Sequence, residues 1–184
     1  MNIQELIDRL VVQQPIEYKD WPAIPLYMDQ VTTLLESRMY TSEEEAEGKS
    51  PTKTMINNYT KAGVLPPSDK KKYSREHLLL LILMWKMKPV LNMKDIGTFT
   101  THLQENMETA ADLKEFYEEF LKMEREVRTS MYAAIDDHYE HICKSLKVEN
   151  GDERAALMYA LLLADHAAEE KRMAELILEQ LTDK

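Results

Sequence analysis

Apolar residues recur at helical spacing along most of the chain. In residues 2–13, Ile3, Leu6, Ile7, Leu10 and Val11 share one stripe, which predicts a short amphipathic helix. QQPIEYKDWPAIP then carries three prolines that forbid a continuous helix, and Trp21 is the side chain expected to anchor it to a neighbour. LYMDQVTTLLESRM returns to the helical period, with Met28, Val31, Leu34 and Leu35 facing inward. YTSEEEAEGKS reads as an acidic, mobile loop. Ser50-Pro51 suit the start of a third helix, because Ser accepts a free N–H and Pro has none to lose there. That helix is expected to run to about Ala62 and to stop at Gly63, which tolerates the left-handed conformation of a helix end. Pro66-Pro67 enforce an extended turn, and Lys70, Lys71, Lys72 and Tyr73 are expected as a short strand or arm.

Ser74 is placed to cap the next helix. Its run from Leu78 to Trp85 is apolar on all sides and so belongs at the centre of a core. Pro89 ends it. Asn92, with Asp95 three residues on, resembles a capping box opening MKDIGTFTTHLQ. In a helix over residues 109–147, apolar positions fall at Phe116, Phe120, Met123, Val127, Met131, Ile135, His138, Ile142 and Leu146. Their mean step of 3.75 is that of a straight helix in a bundle rather than a left-handed coiled coil. Glu149-Asn150-Gly151-Asp152 forms a turn with Asp152 as the next cap. A last helix to about Leu181 presents Ala156, Ala160, Leu163, Ala164, Ala167, Ala174, Ile177 and Leu181. The fold class is all-α, closing on a C-terminal helical hairpin, and no internal repeat is visible.

Composition sharpens this. With 184 residues the chain can bury a core, and four glycines fit a helical protein. The single Cys143 excludes an intramolecular disulfide and fits the cytoplasm. MNIQELIDRLVVQQ lacks the basic start and unbroken apolar run of a secretory leader, and no run approaches the ~20 residues of a membrane span, so no membrane partner is expected. Charge is unevenly placed. Between Lys49 and Lys94 stand ten bases (Lys49, Lys53, Lys61, Lys70, Lys71, Lys72, Arg75, Lys86, Lys88, Lys94) and two acids (Asp69, Glu76), a local +8. Taken from the overall −10, that leaves the rest of the chain near −18. A basic island in an acidic protein points to a polyanion partner for that region, and to little binding elsewhere.

The order of helix, loop, helix ending at Gly63, basic arm and two capped helices resembles the winged helix-turn-helix of MerR-type transcription regulators. The matching residues are Gly63-Val64-Leu65-Pro66-Pro67, Lys71-Lys72-Tyr73-Ser74 and Asn92-Met93-Lys94-Asp95-Ile96. From Trp21 to about Thr101 the chain is more closely similar to the bacterial family of domain of unknown function 1836. LYMDQVTTLL, TKTMINNYTKAGVLPP and KKYSREHLLLLILM stand as its signature stretches. The resemblance implies a MerR-like helix-turn-helix domain over residues 21–105, after an N-terminal helix and linker (1–20). An acidic hairpin over 106–184 would dimerise or accept a partner.

Carried onto this sequence, the resemblance implies double-stranded DNA as partner. Thr52, Lys53, Asn57, Asn58, Tyr59 and Lys61 would face a groove, Lys70, Lys71, Lys72 and Tyr73 would form the wing, and Arg75 follows it. Asn57 and Asn58 suit bidentate bonds to adenine, whereas the lysines and the Tyr59 hydroxyl suit phosphates. The function implied is sequence-specific DNA binding in a transcriptional regulator, with a homodimer as the economical way to read a palindrome.

The rival reading is a protein-interaction module that keeps the helix-turn-helix fold without binding DNA. Asn57-Asn58, standing where the MerR pattern has Arg-Tyr, and a short wing without glycine favour that rival. A third reading is a small-molecule sensor with a Met- and Tyr-lined pocket between the C-terminal helices. His138, His141, Cys143, His166 and Glu169 contain the types a metal needs but no second matched pair, so no metal or other cofactor is implied. No Gly-rich phosphate loop, nucleophile elbow or HExxH appears, and the chain does not read as an enzyme.

Overall fold

The computed structural model describes residues 2–10, 15–39, 51–107 and 109–182. Its elements run α1 (Ile3–Leu10), a single 3-10 turn (Tyr18–Asp20), β1 (Leu26–Tyr27), α2 (Met28–Met39), α3 (Lys53–Lys61), β2 (Lys72–Tyr73), α4 (Arg75–Met87), α5 (Met93–Asn106), α6 (Ala110–Leu146) and α7 (Glu153–Thr182). Among the described residues the protein is all-α apart from one two-residue antiparallel pair, in which Leu26 faces Tyr73 and Tyr27 faces Lys72. Residues 40–50, expected as an acidic loop, lie outside the described residues. Among the described residues no helix is long and apolar enough to cross a membrane.

The chain groups into two compact units. One comprises residues 15–119 and 175–184, the other residues 1–14 and 120–174. In the first, α4 is the hub. All seven side chains from Leu78 to Met84 are 5% exposed or less, as an all-round apolar helix requires. Val31 and Leu35 of α2, Ile56 of α3 and Ile96 of α5 are buried in the same unit, none more than 1% exposed. Trp21 is 2% exposed and anchors the proline-rich segment, though its indole Nε1 has no hydrogen-bond partner among the described residues. The Tyr117 hydroxyl donates to the Ile16 carbonyl at 2.7 Å and fixes the same segment from α6.

The caps explain where the helices stop and start. Asn92 Oδ1 accepts from the Lys94 and Asp95 N–H groups at 2.9 and 3.1 Å, opening α5 where the sequence predicts it. Gly63 closes α3 at φ +73°. Asp152 Oδ1 takes the N–H groups of Arg154 and Ala155 to open α7.

In the second unit, α1 lays Ile3 and Ile7 on a cluster of Tyr139, Ile142, Cys143, Ala155 and Tyr159, next to the turn between α6 and α7. Along α6, which runs through both units, the sequence expectation is off in register. Met123, Val127, Met131 and His138 of the expected inward stripe are exposed, while Leu113, Tyr117, Leu121, Tyr139 and Cys143 are buried. Tyrosines win the inward face because they pair their hydroxyls at its edges: Tyr139 accepts from the Gly151 N–H at 3.2 Å, and Tyr159 donates to the Ile135 carbonyl at 2.9 Å. The α7 stripe also departs from expectation: Ala160, Leu163, Ala164, Ala167 and Ile177 are all exposed.

Candidate nucleic-acid interface

Thr52 caps α3; Ser50, the expected cap, lies outside the described residues. Thr52 is extended at φ −82° and ψ 157°, and its hydroxyl accepts from the Met55 N–H at 3.2 Å. Pro51 is buried just ahead of it. From that start the helical period sends Ile56 and Tyr59 into the core and leaves Thr54, Asn57, Asn58 and Lys61 on one exposed arc. Among the described residues, nothing hydrogen-bonds or ion-pairs with the Asn57, Asn58 or Lys61 side chains. Lys53 is paired with Asp29 of α2. Tyr59 is 8% exposed, and burial raises its hydroxyl pKa above the ordinary value. Its ring is core, so it adds little to the outward face expected of it.

The arm after Pro66-Pro67 is a two-residue reversal. Lys70 and Lys71 sit at φ +47° and +65°, and the Lys72 N–H donates to the Asp69 carbonyl at 2.8 Å. Two successive left-handed residues are the signature of the hairpin turn that normally selects Asn-Gly. With two lysines there instead, each position costs about 1–2 kcal/mol in backbone strain. Both lysine side chains are exposed at the tip. Below it, Lys72 rests over the Tyr27 ring at 5.1 Å, and the strand pair ties the arm to the start of α2. Because α2 also packs on α3, one helix supports both the outward arc and the arm.

Two residues of the expected interface, Tyr73 of the wing and Arg75 after it, are engaged in the scaffold. Tyr73 is 5% exposed, opposite Leu26 in the strand pair and edge-on to His77 with ring centres 5.5 Å apart. Strand alternation sends Lys72 out and Tyr73 in. Arg75 donates from Nη2 to the Trp21 carbonyl at 2.7 Å and from Nε to the Pro22 carbonyl at 3.2 Å, with its guanidinium 4.6 Å from the Tyr18 ring. It closes the proline-rich segment onto α4 with its Nε/Nη2 edge, which is thereby withheld from a phosphate. His77 also ties neighbouring backbone together. Its Nδ1 accepts from the Ser74 N–H at 3.1 Å, and its Nε2 lies 3.3 Å from the Pro67 carbonyl. The double-proline turn is thereby held to the start of α4.

Two surface groups beside these residues stand outside the expected interface set. Tyr27 is 53% exposed at the foot of the arm. The Lys88 ammonium reaches α3, 3.7 Å from Met55 Sδ, while lying 5.1 Å from the Trp85 ring centre. The basic island pointed to Lys88; nothing in the sequence pointed to Tyr27, whose position depends on a strand only two residues long.

What remains is an exposed arc of two amides and a lysine on α3, flanked by Lys53 and Lys88, and an ordered arm with three lysines. Amides can donate and accept in one plane, and lysines neutralise anions, so the chemistry suits a polyanion carrying hydrogen-bonding edges. Among proteins already classified, the model of a family described as "Domain of unknown function (DUF1836)" matches residues 16–120, more than half of the chain. No curated protein and no solved structure matches.

Proposed function

We propose that this chain, which belongs to the DUF1836 family, is a sequence-specific DNA-binding protein, a transcriptional regulator that uses α2 and α3 as a MerR-like helix-turn-helix and the Lys70–Lys71 reversal as its wing. The observation that carries the reading is the pair of lysines held in left-handed conformation at the tip of the arm. Glycine would fit that turn without strain, and strain kept at an exposed cationic tip is a mark of function. Asn57 and Asn58 supply base-edge contacts on α3. Lys53, Lys61, Lys70, Lys71 and Lys72 supply phosphate contacts, with Lys88 as a sixth. Asp29 holds Lys53 until phosphate replaces it.

The alternative is an interaction module that grips an acidic protein with the same face. The inward Tyr73 and the engaged Arg75 favour it, since they shrink the face expected to meet DNA.

Fluorescence anisotropy against pooled genomic fragments over a salt series separates the two. DNA binding gives a log–log slope of roughly −0.9 per phosphate neutralised. Lys70→Asn with Lys71→Gly should flatten that slope by about 2 while raising stability by about 1 kcal/mol in urea unfolding. Asn57→Ala should weaken the preferred fragment by about 1–3 kcal/mol and leave non-specific binding unchanged. A wild-type protein that ignores DNA at low salt overturns the reading.

A further inference from the structure

From Ala160 to Met173, fourteen consecutive residues of α7, every side chain is exposed. The stretch ALLLADHAAEEKRM is not polar: eight of the fourteen are Ala, Leu or Met. A helical segment of this length without a buried face is marginal in water, and one with this composition has surface to hide. Leu157 and Leu161 are 65% and 70% exposed one turn apart, Met158 and Leu162 follow on the same side, and Val127 and Met131 of α6 are 65% and 47% exposed at the same spacing.

We propose that a second copy of this chain covers this face, its α6 and α7 packing on those of the first to form an intermolecular four-helix bundle. Within this unit α1 supplies a third helix, but its eight residues cover only the end of α6 and α7 around Tyr139, Ala155 and Tyr159. Beyond that end the bundle lacks the helices that an apolar face needs, and a twofold partner brings two of matching length and pattern.

Charge favours self-association. From Phe120 to Leu146, α6 carries five acids and four bases, and from Glu153 to Ala174, α7 carries four acids and three bases. Each segment is therefore at −1, although the whole chain is at −10, so two copies can meet here with both signs interleaved. The pattern also fits. Leu157, Met158, Leu161, Leu162 and Met173 fall on one half of α7 and are between 39% and 70% exposed, so the helix presents an apolar side rather than scattered apolar positions. Ala160, Ala164, Ala167 and Ala168 leave room for close helix approach.

The inference draws on this unit alone and stands whether or not the chain binds DNA; if it does, the dimer's twofold axis predicts two half-sites.

Sedimentation equilibrium of the full chain tests it. The wild type should show twice the 21.5 kDa chain mass at micromolar concentration. Leu157→Glu with Leu161→Glu should raise the dissociation constant by at least ~100-fold, and the protein should sediment as a single chain. Circular dichroism shows whether the variant stays helical. As a milder probe, the thiol of Leu161→Cys should alkylate more slowly at high protein concentration than at low. A wild type that stays at 21.5 kDa up to millimolar concentration overturns the proposal and leaves the face to another partner. So does a helical Glu variant that stays dimeric, or a Leu161→Cys thiol whose reactivity ignores concentration.

Discussion

Leu78 to Met84 and Ala160 to Met173 are both helical and both rich in leucine, yet every side chain of the first is buried and every side chain of the second is exposed. Propensity does not separate them. What differs is the number of elements the chain brings to each. Around α4 it supplies α5 and β2 in direct contact, with α2 and α3 packed in the same unit. For the exposed run of α7, the one additional helix of its unit is α1, which covers only the turn end. An apolar run states that surface must be hidden. Whether the same molecule hides it depends on what else the topology delivers.

Alanine substitutions give the sharpest contrast between the two runs. Leu81→Ala in α4 should cost about 2–5 kcal/mol in urea unfolding, because it opens a cavity among close-packed neighbours. Leu161→Ala should cost less than about 0.5 kcal/mol in dilute protein. Its cost should grow with protein concentration, as linkage to dimerisation requires. Equal losses in dilute protein would break the comparison. Ala164→Gly sits in the exposed run and touches no core, so it should cost only helix propensity, about 1 kcal/mol, read as a fall in urea midpoint.

The smallest effect lies at the border of the two regimes in α7. Tyr159 is the last packed residue before the exposed run, and its hydroxyl pKa is raised by burial and then by the Asp136 carboxylate. Tyr59 is raised by burial alone. A raised pKa means the folded state holds the proton more tightly than the unfolded chain does. Stability from these two groups is therefore complete below about pH 10 and falls as pH rises through their folded values. Thermal melts from pH 8 to 11 should be flat at first and then decline, with a shallower decline in Tyr159→Phe.

The core helix, its Ser74 start and its end before Pro89 were legible in the sequence, as were the Asn92 and Asp152 caps and the stop at Gly63. Each rests on one residue type doing one local thing. The inward face of α6 was not legible. Ranking Met and Val above Tyr put Met123, Val127 and Met131 inside, whereas Tyr117 and Tyr139 occupy the core and satisfy their hydroxyls at backbone groups far along the chain. The strand pair was half legible: Lys72–Tyr73 was expected as strand or arm, but its partner Leu26–Tyr27 is too short to announce itself. That partner decides which wing residues point outward, so Tyr73, expected on the surface, lies in the scaffold, and Arg75 beyond the wing is drawn there by the Trp21 and Pro22 carbonyls. Asn57, Asn58 and Lys61 needed only the helical period, and they lie where that period puts them.

The arm that ends in Lys70 and Lys71 reverses in two residues and is pinned on both sides, by the Tyr27–Lys72 pairing and by the Asp69 carbonyl. Such a loop has almost no slack to freeze when something docks on it. Whatever anion meets those ammonium groups finds them already arrayed, so the speed of capture should follow long-range attraction rather than a search through loop shapes.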